Sequence, residues 1–198
     1  MPVVVDPVQR RRAVVEATLR LVAREGVEGA SLRKVADEAG LNIGSVRHYF
    51  DNHDALLAAA AEEVGDRMGS RLAVHPPPEV RPASPAEAVA TVARVVEELL
   101  PLDEAKHVEA IVLLEFMAAA RRRPVLRPMS ERMARDLRQV LHEVLTSVGV
   151  RDVDAETARL TALIGGLTTD VVYPHGSPTP ARLRETLRFH LEQVIDRR

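Results

Sequence analysis

The apolar residues between Ser31 and Phe50 repeat at the spacing of two short helices separated by a tight turn. In the first helix they recur at i, i+3, i+4 and i+7 and form one apolar face: Leu32, Val35, Ala36 and Ala39. Ser31 precedes this run as an N-cap, and Gly40 ends it because glycine adopts left-handed backbone angles at little cost. Asn42 can cap a second helix that turns Val46 inward. The pattern predicts a helix-turn-helix, whose second helix fits the DNA major groove, although two-helix hairpins also occur in proteins that bind no DNA.

Helical periodicity continues on both sides of this motif. Before it, a helix starts at Asp6-Pro7 and is closed by Gly26. After it, an alanine-rich helix runs from His53 to Ala73, with Asp51 and Asp54 resembling a capping pair, until clustered prolines interrupt the chain. Five further helices are predicted: Pro85 to Leu100, Glu104 to Arg122, Val125 to Val148, Val153 to Tyr173 and Pro180 to Arg197. The prediction is an all-α protein of about nine helices.

The last two predicted helices carry apolar faces that could form a four-helix bundle with a second copy of the chain. The residues of these faces are Leu160, Leu163, Ile164, Leu167, Leu183, Leu187, Leu191, Val194 and Ile195. Gly165-Gly166 interrupts the first of them, which indicates either close helix approach at an interface or a kink beside a pocket.

The helix-turn-helix continues into a longer run, A-G-L-N-I-G-S-V-R-H-Y-F-D-N-H-D-A-L-L from Ala39 to Leu57, which resembles the DNA-binding signature of the TetR family of bacterial regulators. The resemblance implies an all-α homodimer with an N-terminal three-helix helix-turn-helix DNA-binding domain, at residues 1–52. A helical ligand-binding and dimerisation domain would follow at residues 53–198. Two recognition helices would then enter successive major grooves of a near-palindromic operator, about 34 Å apart. A small molecule bound in the second domain would release the double-stranded DNA.

The N-terminal end of the recognition helix is the part that reads base edges in such motifs. Ser45 can donate or accept a hydrogen bond there, and Gly44 lets the backbone approach DNA closely. Ile43 has two interpretations, because its spacing to Val46 and Phe50 favours the core, whereas the resemblance turns it toward a thymine methyl group. We adopt the groove interpretation. The residues expected to contact DNA are Arg33, Lys34, Asn42, Ile43, Gly44, Ser45, Arg47, His48, Tyr49 and His53.

Two of these residues depart from the family pattern. The family usually has a tyrosine where this chain has Arg47, and arginine keeps the phosphate contact while adding charge. It usually has a lysine where this chain has His53. Histidine titrates near pH 6.5, so the hypothesis is that operator affinity depends on pH through His53. Identical pH curves for the parent and His53→Ala would exclude it.

Because the chain as a whole is slightly acidic, binding to DNA requires positive charge that is concentrated on one part of its surface. The 198 residues carry a net charge of −2 with a pI near 6.4, which argues against a general affinity for polyanions. Asp37 and Glu38 are expected to face solvent, away from the phosphates. Basic residues nevertheless cluster before and within the motif: Arg10, Arg11, Arg12, Arg33, Lys34 and Arg47. The first three could form an arm along the DNA or a solvated first helical turn.

Composition also limits the compartment and the chemistry. There is no cysteine and no run of eighteen or more apolar residues, so a cytoplasmic protein without a membrane span is expected. The seven histidines show no metal-ligand spacing, and no phosphate-cradling glycine loop is present. An enzyme is therefore disfavoured, and no cofactor, metal or catalytic residue is predicted.

The C-terminal helices contain few aromatic residues and no tryptophan, so a pocket among them would be mainly aliphatic and would suit an apolar effector. His107, Glu115 and Arg121 are polar residues that could orient such a ligand or could simply lie on the surface. Two alternatives stay open. One is a DNA-binding protein of the same fold controlled by a protein partner, and the other is a helical enzyme or carrier that binds no DNA.

Overall fold

The structure, a computed structural model of the chain, describes residues 6–173 and 178–195. Within these ranges the chain forms nine α-helices and no strand, which confirms the predicted all-α class. A short 3₁₀ helix, Pro124–Leu126, precedes the seventh helix. Arg197, the predicted end of the last helix, lies outside the described residues. The helices are α1 (Pro7–Gly29), α2 (Leu32–Glu38), α3 (Ile43–Tyr49), α4 (His53–Leu72), α5 (Pro85–Glu97), α6 (Glu104–Ala120), α7 (Arg127–Ser147), α8 (Val153–Val172) and α9 (Pro180–Ile195).

The ends of α1 and α4 follow from their cap and turn residues. Asp6 caps α1, because its Oδ1 accepts a hydrogen bond from the Val8 amide at 3.0 Å. The regular helix of α1 breaks at Gly26, whose φ of 73° lies in the left-handed region. Further along, α4 ends at Leu72 and α5 begins at Pro85. The predicted proline interruption is therefore confirmed.

The start of α4 differs from the predicted capping pair of Asp51 and Asp54. The residue that caps this helix is Asn52, whose Oδ1 accepts a hydrogen bond from the Ala55 amide at 2.8 Å. Asparagine is among the strongest N-caps because its short side chain reaches a free amide of the first turn. Asp54 instead forms an ion pair with Arg123, with Oδ1 2.9 Å from Nη1.

The chain divides into two compact units. The N-terminal unit contains the described residues up to Asp66 together with Ile111–Glu131, and the C-terminal unit contains Arg67–Ala110 with the described residues from Arg132 onward. The boundaries fall within α4, α6 and α7. The predicted boundary between residues 52 and 53 separates a DNA-binding domain from a ligand-binding and dimerisation domain. It concerns function rather than compactness, so it stays a prediction.

Each of the first four helices contributes buried side chains to the N-terminal unit. One stripe of α1 is buried, and α2 and α3 present their predicted apolar faces to the interior. Fully burying a valine or leucine contributes roughly 1.5–3 kcal/mol, so these side chains fix where the surface of α3 lies. The fully buried residues include Val14, Ala17, Val22, Val35, Val46, Leu56 and Leu57.

The C-terminal unit is built around an apolar cluster in which α5 packs against α9. This cluster corrects the predicted dimer faces. All the residues assigned to them, except the half-buried Leu163 and Val194, are buried in the single chain. They pack against residues of α5 and α7 in the same cluster, including Val92, Val96 and Leu145. The apolar stripes of α8 and α9 therefore serve the chain's own core.

In the described part of the chain, none of the helices combines the length and the apolar character that a membrane-spanning segment needs.

Candidate nucleic-acid interface

The turn between α2 and α3 is a Schellman motif built around Gly40. The Leu41 amide donates to the Ala36 carbonyl at 2.9 Å, and the Gly40 amide donates to the Asp37 carbonyl at 3.2 Å. Gly40 has a φ of 66°, a conformation that costs other residues energy. Asn42 then caps α3 by accepting a hydrogen bond from the Ser45 amide at 2.8 Å. The predicted helix-turn-helix is confirmed, including the predicted N-caps, which are Ser31 for α2 and Asn42 for α3.

Burial divides α3 into an anchored side and an outward side. Val46 is fully buried and Phe50, which follows the helix, is only 3% exposed. Ile43 is 39% exposed, so the alternative that placed it in the core is excluded. The outward residues at the start of α3 and along its free side are Asn42, Ile43, Gly44, Arg47 and His48, with Ser45 and Tyr49 half-buried.

Gly44 has a structural role as well as the predicted one at DNA. A Cβ placed on Gly44 would lie 3.2 Å from Asn42 Oδ1, the atom that caps α3. Glycine therefore leaves the cap undisturbed, in addition to leaving the outward surface free of a side chain.

Arg33 and Arg47 are exposed cations beside this surface. Neither forms an ion pair with a carboxylate among the described residues. An uncompensated guanidinium is available to a phosphate oxygen, which it can hold with two hydrogen bonds. These two arginines thus supply the local positive charge that the overall charge of the chain does not.

Three further cations near the motif, Lys34, Arg20 and Arg24, form ion pairs within the chain. Lys34 Nζ lies 2.6 Å from Glu25 Oε2, and this contact is the main reason that the pKa of Glu25 is lowered. Glu38 accepts hydrogen bonds from Arg20 Nε at 2.8 Å and Arg24 Nη2 at 2.9 Å, which lower its pKa. The expectation that Glu38 simply faces solvent is therefore wrong, because it links α2 to α1. Its predicted companion, Asp37, is exposed.

His53 is half-buried, and its Nε2 lies 3.0 Å from the carbonyl oxygen of Ala30. A carbonyl only accepts hydrogen bonds, so this contact assigns the proton to Nε2. The side chain thereby ties the start of α4 to the connection between α1 and α2. The family resemblance predicts a phosphate as the partner of this histidine, and the structure adds a backbone carbonyl within the chain.

The arginines at the start of α1 also have local contacts. The guanidinium carbon of Arg11 lies 4.9 Å from the centre of the Phe50 ring, within the range of a cation–π interaction. Arg12 Nε lies 4.0 Å from Glu16 Oε1, one helical turn away. Both contacts favour the helical-turn interpretation of Arg11 and Arg12 over a free arm.

Two open clefts lie in the C-terminal unit and share His75, Pro76 and Val95. Their volumes are about 370 and 320 Å³. The first also contains Arg94, and the second has the mainly aliphatic lining that the composition predicts: Leu72, Ala73, Val140 and Val144 with Asp136 and Glu143.

The three predicted ligand residues line neither cleft. His107 is half-buried on α6, and Arg121 is exposed just beyond that helix. Glu115 belongs to the N-terminal unit, where its Oε2 lies 3.0 Å from the position of a Cβ placed on Gly26. In the described ranges no three His, Asp or Glu side chains are grouped as metal ligands, and His175 lies outside those ranges.

Comparison with known proteins agrees with this geometry at both ends of the chain. Residues 14–60 match the family model described as bacterial regulatory proteins, tetR family. Residues 88–196 match the model described as BetI-type transcriptional repressor, C-terminal. The HTH-type transcriptional regulator PksA of Bacillus subtilis (strain 168) is 32% identical over 198 residues, which cover 98% of this chain and 94% of PksA.

Solved structures show the same fold. A transcriptional regulator from Rhodococcus sp. Rha1 is 28% identical and superimposes with a TM-score of 0.82 over 94% of this chain and 96% of that one. The multidrug binding protein EbrR, complexed with ethidium, is 26% identical, with a TM-score of 0.66 over 92% of this chain and 98% of that one.

A capped, outward-facing α3 on a three-helix core defines a helix-turn-helix transcriptional regulator that binds DNA. The chain belongs to the TetR family, and its C-terminal part is of the BetI type. The similar proteins are transcriptional regulators, which confirms the prediction that this chain is not an enzyme.

Proposed function

We propose that the chain is a homodimeric repressor that binds a near-palindromic operator through α3 and is released by a small molecule bound in its C-terminal unit. The observation that carries the proposal is the division of α3 into a buried side, anchored by Val46, and an outward side that begins at Asn42. In this assignment Ile43 and Ser45 read base edges, while Arg47 and Tyr49 contact phosphates.

The repressor role is supported by the BetI-type model that matches residues 88–196. Response to a small molecule is supported by the clefts in the C-terminal unit, whose volumes are at the lower end of the range for ligand sites. It is also supported by the likeness to EbrR, which was crystallised with ethidium. We infer an effector with an apolar body, because Leu72, Val140 and Val144 line one cleft.

The dimer is assigned to the outward faces of α8 and α9, since the inward faces are occupied. Gly165 and Gly166 are exposed, and a Cβ placed on either would meet no atom within 4 Å. Phe189 on α9 is 65% exposed. Small residues on one helix and a large apolar residue on the other suit the close packing of a bundle formed with a second copy.

The experiment is to sequence genomic fragments that co-purify with the full-length protein and to footprint the enriched motif. The expected result is one motif with two half-sites, whose centres are separated by one helical turn of DNA, about 34–36 Å, or a multiple of it. A screen of apolar and amphiphilic compounds should then yield one that weakens operator binding about a hundredfold, equivalent to about 2.7 kcal/mol. Absence of any enriched motif would contradict operator binding. A motif without any active compound would favour control by a protein partner.

A further inference from the structure

Arg123 lies far from the helix-turn-helix in sequence but contacts one residue on each side of that motif. It follows α6 and precedes the 3₁₀ helix, and its side chain is 24% exposed. Its Nη2 donates to both carboxylate oxygens of Glu28, at 2.7 and 2.8 Å, and its Nη1 donates to Asp54 Oδ1 at 2.9 Å. Glu28 precedes the motif and Asp54 follows it. A single guanidinium therefore holds the two ends of the segment that contains α2 and α3.

The geometry of this contact differs from that of an ordinary surface ion pair, although the Glu28 and Asp54 side chains are themselves 77% and 53% exposed. Exposed pairs contribute little unless an arginine binds a carboxylate with two hydrogen bonds or several charges form a network, and both conditions hold here. The pKa of Glu28 is lowered, chiefly by its hydrogen bond with Arg123, and the pKa of Arg123 is raised for the same reason.

The backbone of Arg123 is itself held in place. Its amide donates to the Ala119 carbonyl at 2.8 Å, and its carbonyl accepts from the Leu126 amide at 3.1 Å. Both Ala119 and Leu126 have buried side chains. The side chain of Arg123 therefore projects from a fixed point at the end of α6, so a displacement of that helix end would move the guanidinium.

We propose that Arg123 is a positioning residue for DNA binding, because by holding Glu28 and Asp54 together it fixes the segment that carries the recognition helix. The inference rests on the proposed operator binding through α3. It assigns a function in DNA recognition to a residue that touches no DNA and lies outside the helix-turn-helix sequence.

The sign of the effect separates this role from simple electrostatics. Glu28→Gln and Asp54→Asn each remove a negative charge from the DNA-binding unit, so reduced repulsion alone would strengthen DNA binding. Loss of positioning has the opposite effect. The expected result for each variant is operator binding about tenfold weaker than the parent, measured by fluorescence anisotropy with full-length protein and the enriched motif. Unchanged or tighter binding would overturn the proposal.

Arg123→Ala should weaken operator binding by a similar factor, whereas Arg122→Ala is the matched control. Arg122 is an exposed neighbour of the same charge, and its side chain makes no hydrogen bond to Glu28. Combining Arg123→Ala with Glu28→Gln should add little to either change alone, because both remove the same contact. The salt dependence should keep its slope in Glu28→Gln, since no phosphate contact is lost. Fully additive effects, or equal losses in Arg122→Ala and Arg123→Ala, would overturn the assignment.

A measurement without DNA keeps this inference separate from the proposed operator binding. Hydrogen exchange of the free protein should be several-fold faster for the amides of residues 31–50 in Arg123→Ala than in Arg122→Ala or the parent. If exchange in this segment is unchanged, the positioning role is wrong whatever the DNA result. If exchange increases but no enriched motif exists, Arg123 still holds the α2–α3 segment in place, and it is the proposed operator binding that is wrong.

Discussion

The α2–α3 motif and the α8–α9 pair have similar apolar periodicity, but they use their apolar faces differently. In the motif, caps and the glycine turn are formed between near neighbours, such as Leu41 with Ala36, and the face opposite the apolar stripe is the functional one. In α8 and α9 the apolar stripes are buried within the chain, and the outward faces carry Gly166 and Phe189. An apolar stripe therefore indicates that one face of a helix is buried. It does not indicate whether that face packs within the same chain or against a second copy.

The largest expected effect separates the two faces of α9. Leu187 is fully buried, so Leu187→Ala should lower the free energy of unfolding by about 2–5 kcal/mol. Phe189→Ala should change the stability of the monomer by less than about 0.5 kcal/mol and should weaken dimerisation. Denaturant titration at several protein concentrations, with sedimentation equilibrium, measures both quantities. If Leu187→Ala abolished the dimer without changing the stability of the monomer, the apolar stripes of α8 and α9 would form the dimer interface after all.

A second comparison uses two glycines, one from each region. Gly40 has a φ of 66° with no atom near a placed Cβ, so Gly40→Ala should cost roughly 1–2 kcal/mol through the backbone alone. Gly166 is helical and equally unobstructed, so Gly166→Ala should stabilise the monomer by up to about 1 kcal/mol. Thermal unfolding of the two variants should shift in opposite directions at protein concentrations low enough for the chain to be monomeric. If both substitutions shifted the unfolding temperature in the same direction, backbone conformation would not explain the difference between Gly40 and Gly166.

The outward face of α3 is predicted to separate affinity from specificity. Arg47→Ala should weaken binding to operator and random DNA alike and should reduce the slope of affinity against salt by about 1. Ser45→Ala should instead alter the preferred sequence and leave that slope unchanged. Titrations at several salt concentrations, combined with selection of bound sequences, measure both effects. If Arg47→Ala altered the preferred DNA sequence, Arg47 would contact bases, and its assignment to a phosphate would be wrong.

The smallest expected effect concerns acid stability in the C-terminal unit. The hydrogen bond from Lys106 Nζ, 2.9 Å from Glu98 Oε2, is the main cause that lowers the pKa of Glu98, and His75 adds to it. A lowered pKa stabilises the folded state above the ordinary glutamate value near 4.3, and this contribution disappears as the pH falls through the lowered pKa.

Glu98→Gln should therefore reduce stability at neutral pH by less than about 1 kcal/mol, because the pair is partly exposed. It should have little effect at the acidic end of the range. Urea titrations between pH 3 and pH 7, in roughly unit steps, would follow this difference. Glu79→Gln, at an exposed position in the proline segment, is the matched control. A constant difference between Glu98→Gln and the parent across that range would contradict the assignment.

Local sequence signals predicted the helices and the recognition motif because their determinants lie within a few residues of each other. Ser31, Gly40 and Asn42 act on neighbouring backbone groups, and their roles could be read from residue type and spacing. The DNA-facing residues around Ile43 were placed outward by the family resemblance rather than by periodicity. Their contacts with DNA stay predictions.

Long-range partners could not be predicted in the same way. Glu38 pairs with Arg20 and Arg24, and Arg123 pairs with Glu28, although nothing in the local pattern distinguishes these residues from other surface charges. Charged residues are frequent on every helix, so residue type alone leaves too many possible pairs. The predicted ligand residues had the same weakness, since they were chosen by polarity on one helix.

The break at Gly26 has a practical consequence for engineering. A redesign that maximised helix propensity along α1 would replace this glycine by alanine, a change that stabilises an ordinary helix interior by roughly 1 kcal/mol. Here the φ of 73° and the carboxylate of Glu115, 3.0 Å from the new methyl group, would turn that gain into strain. Thermostabilising libraries should therefore keep residue 26 unchanged and place their helix-favouring substitutions on the exposed positions earlier in α1.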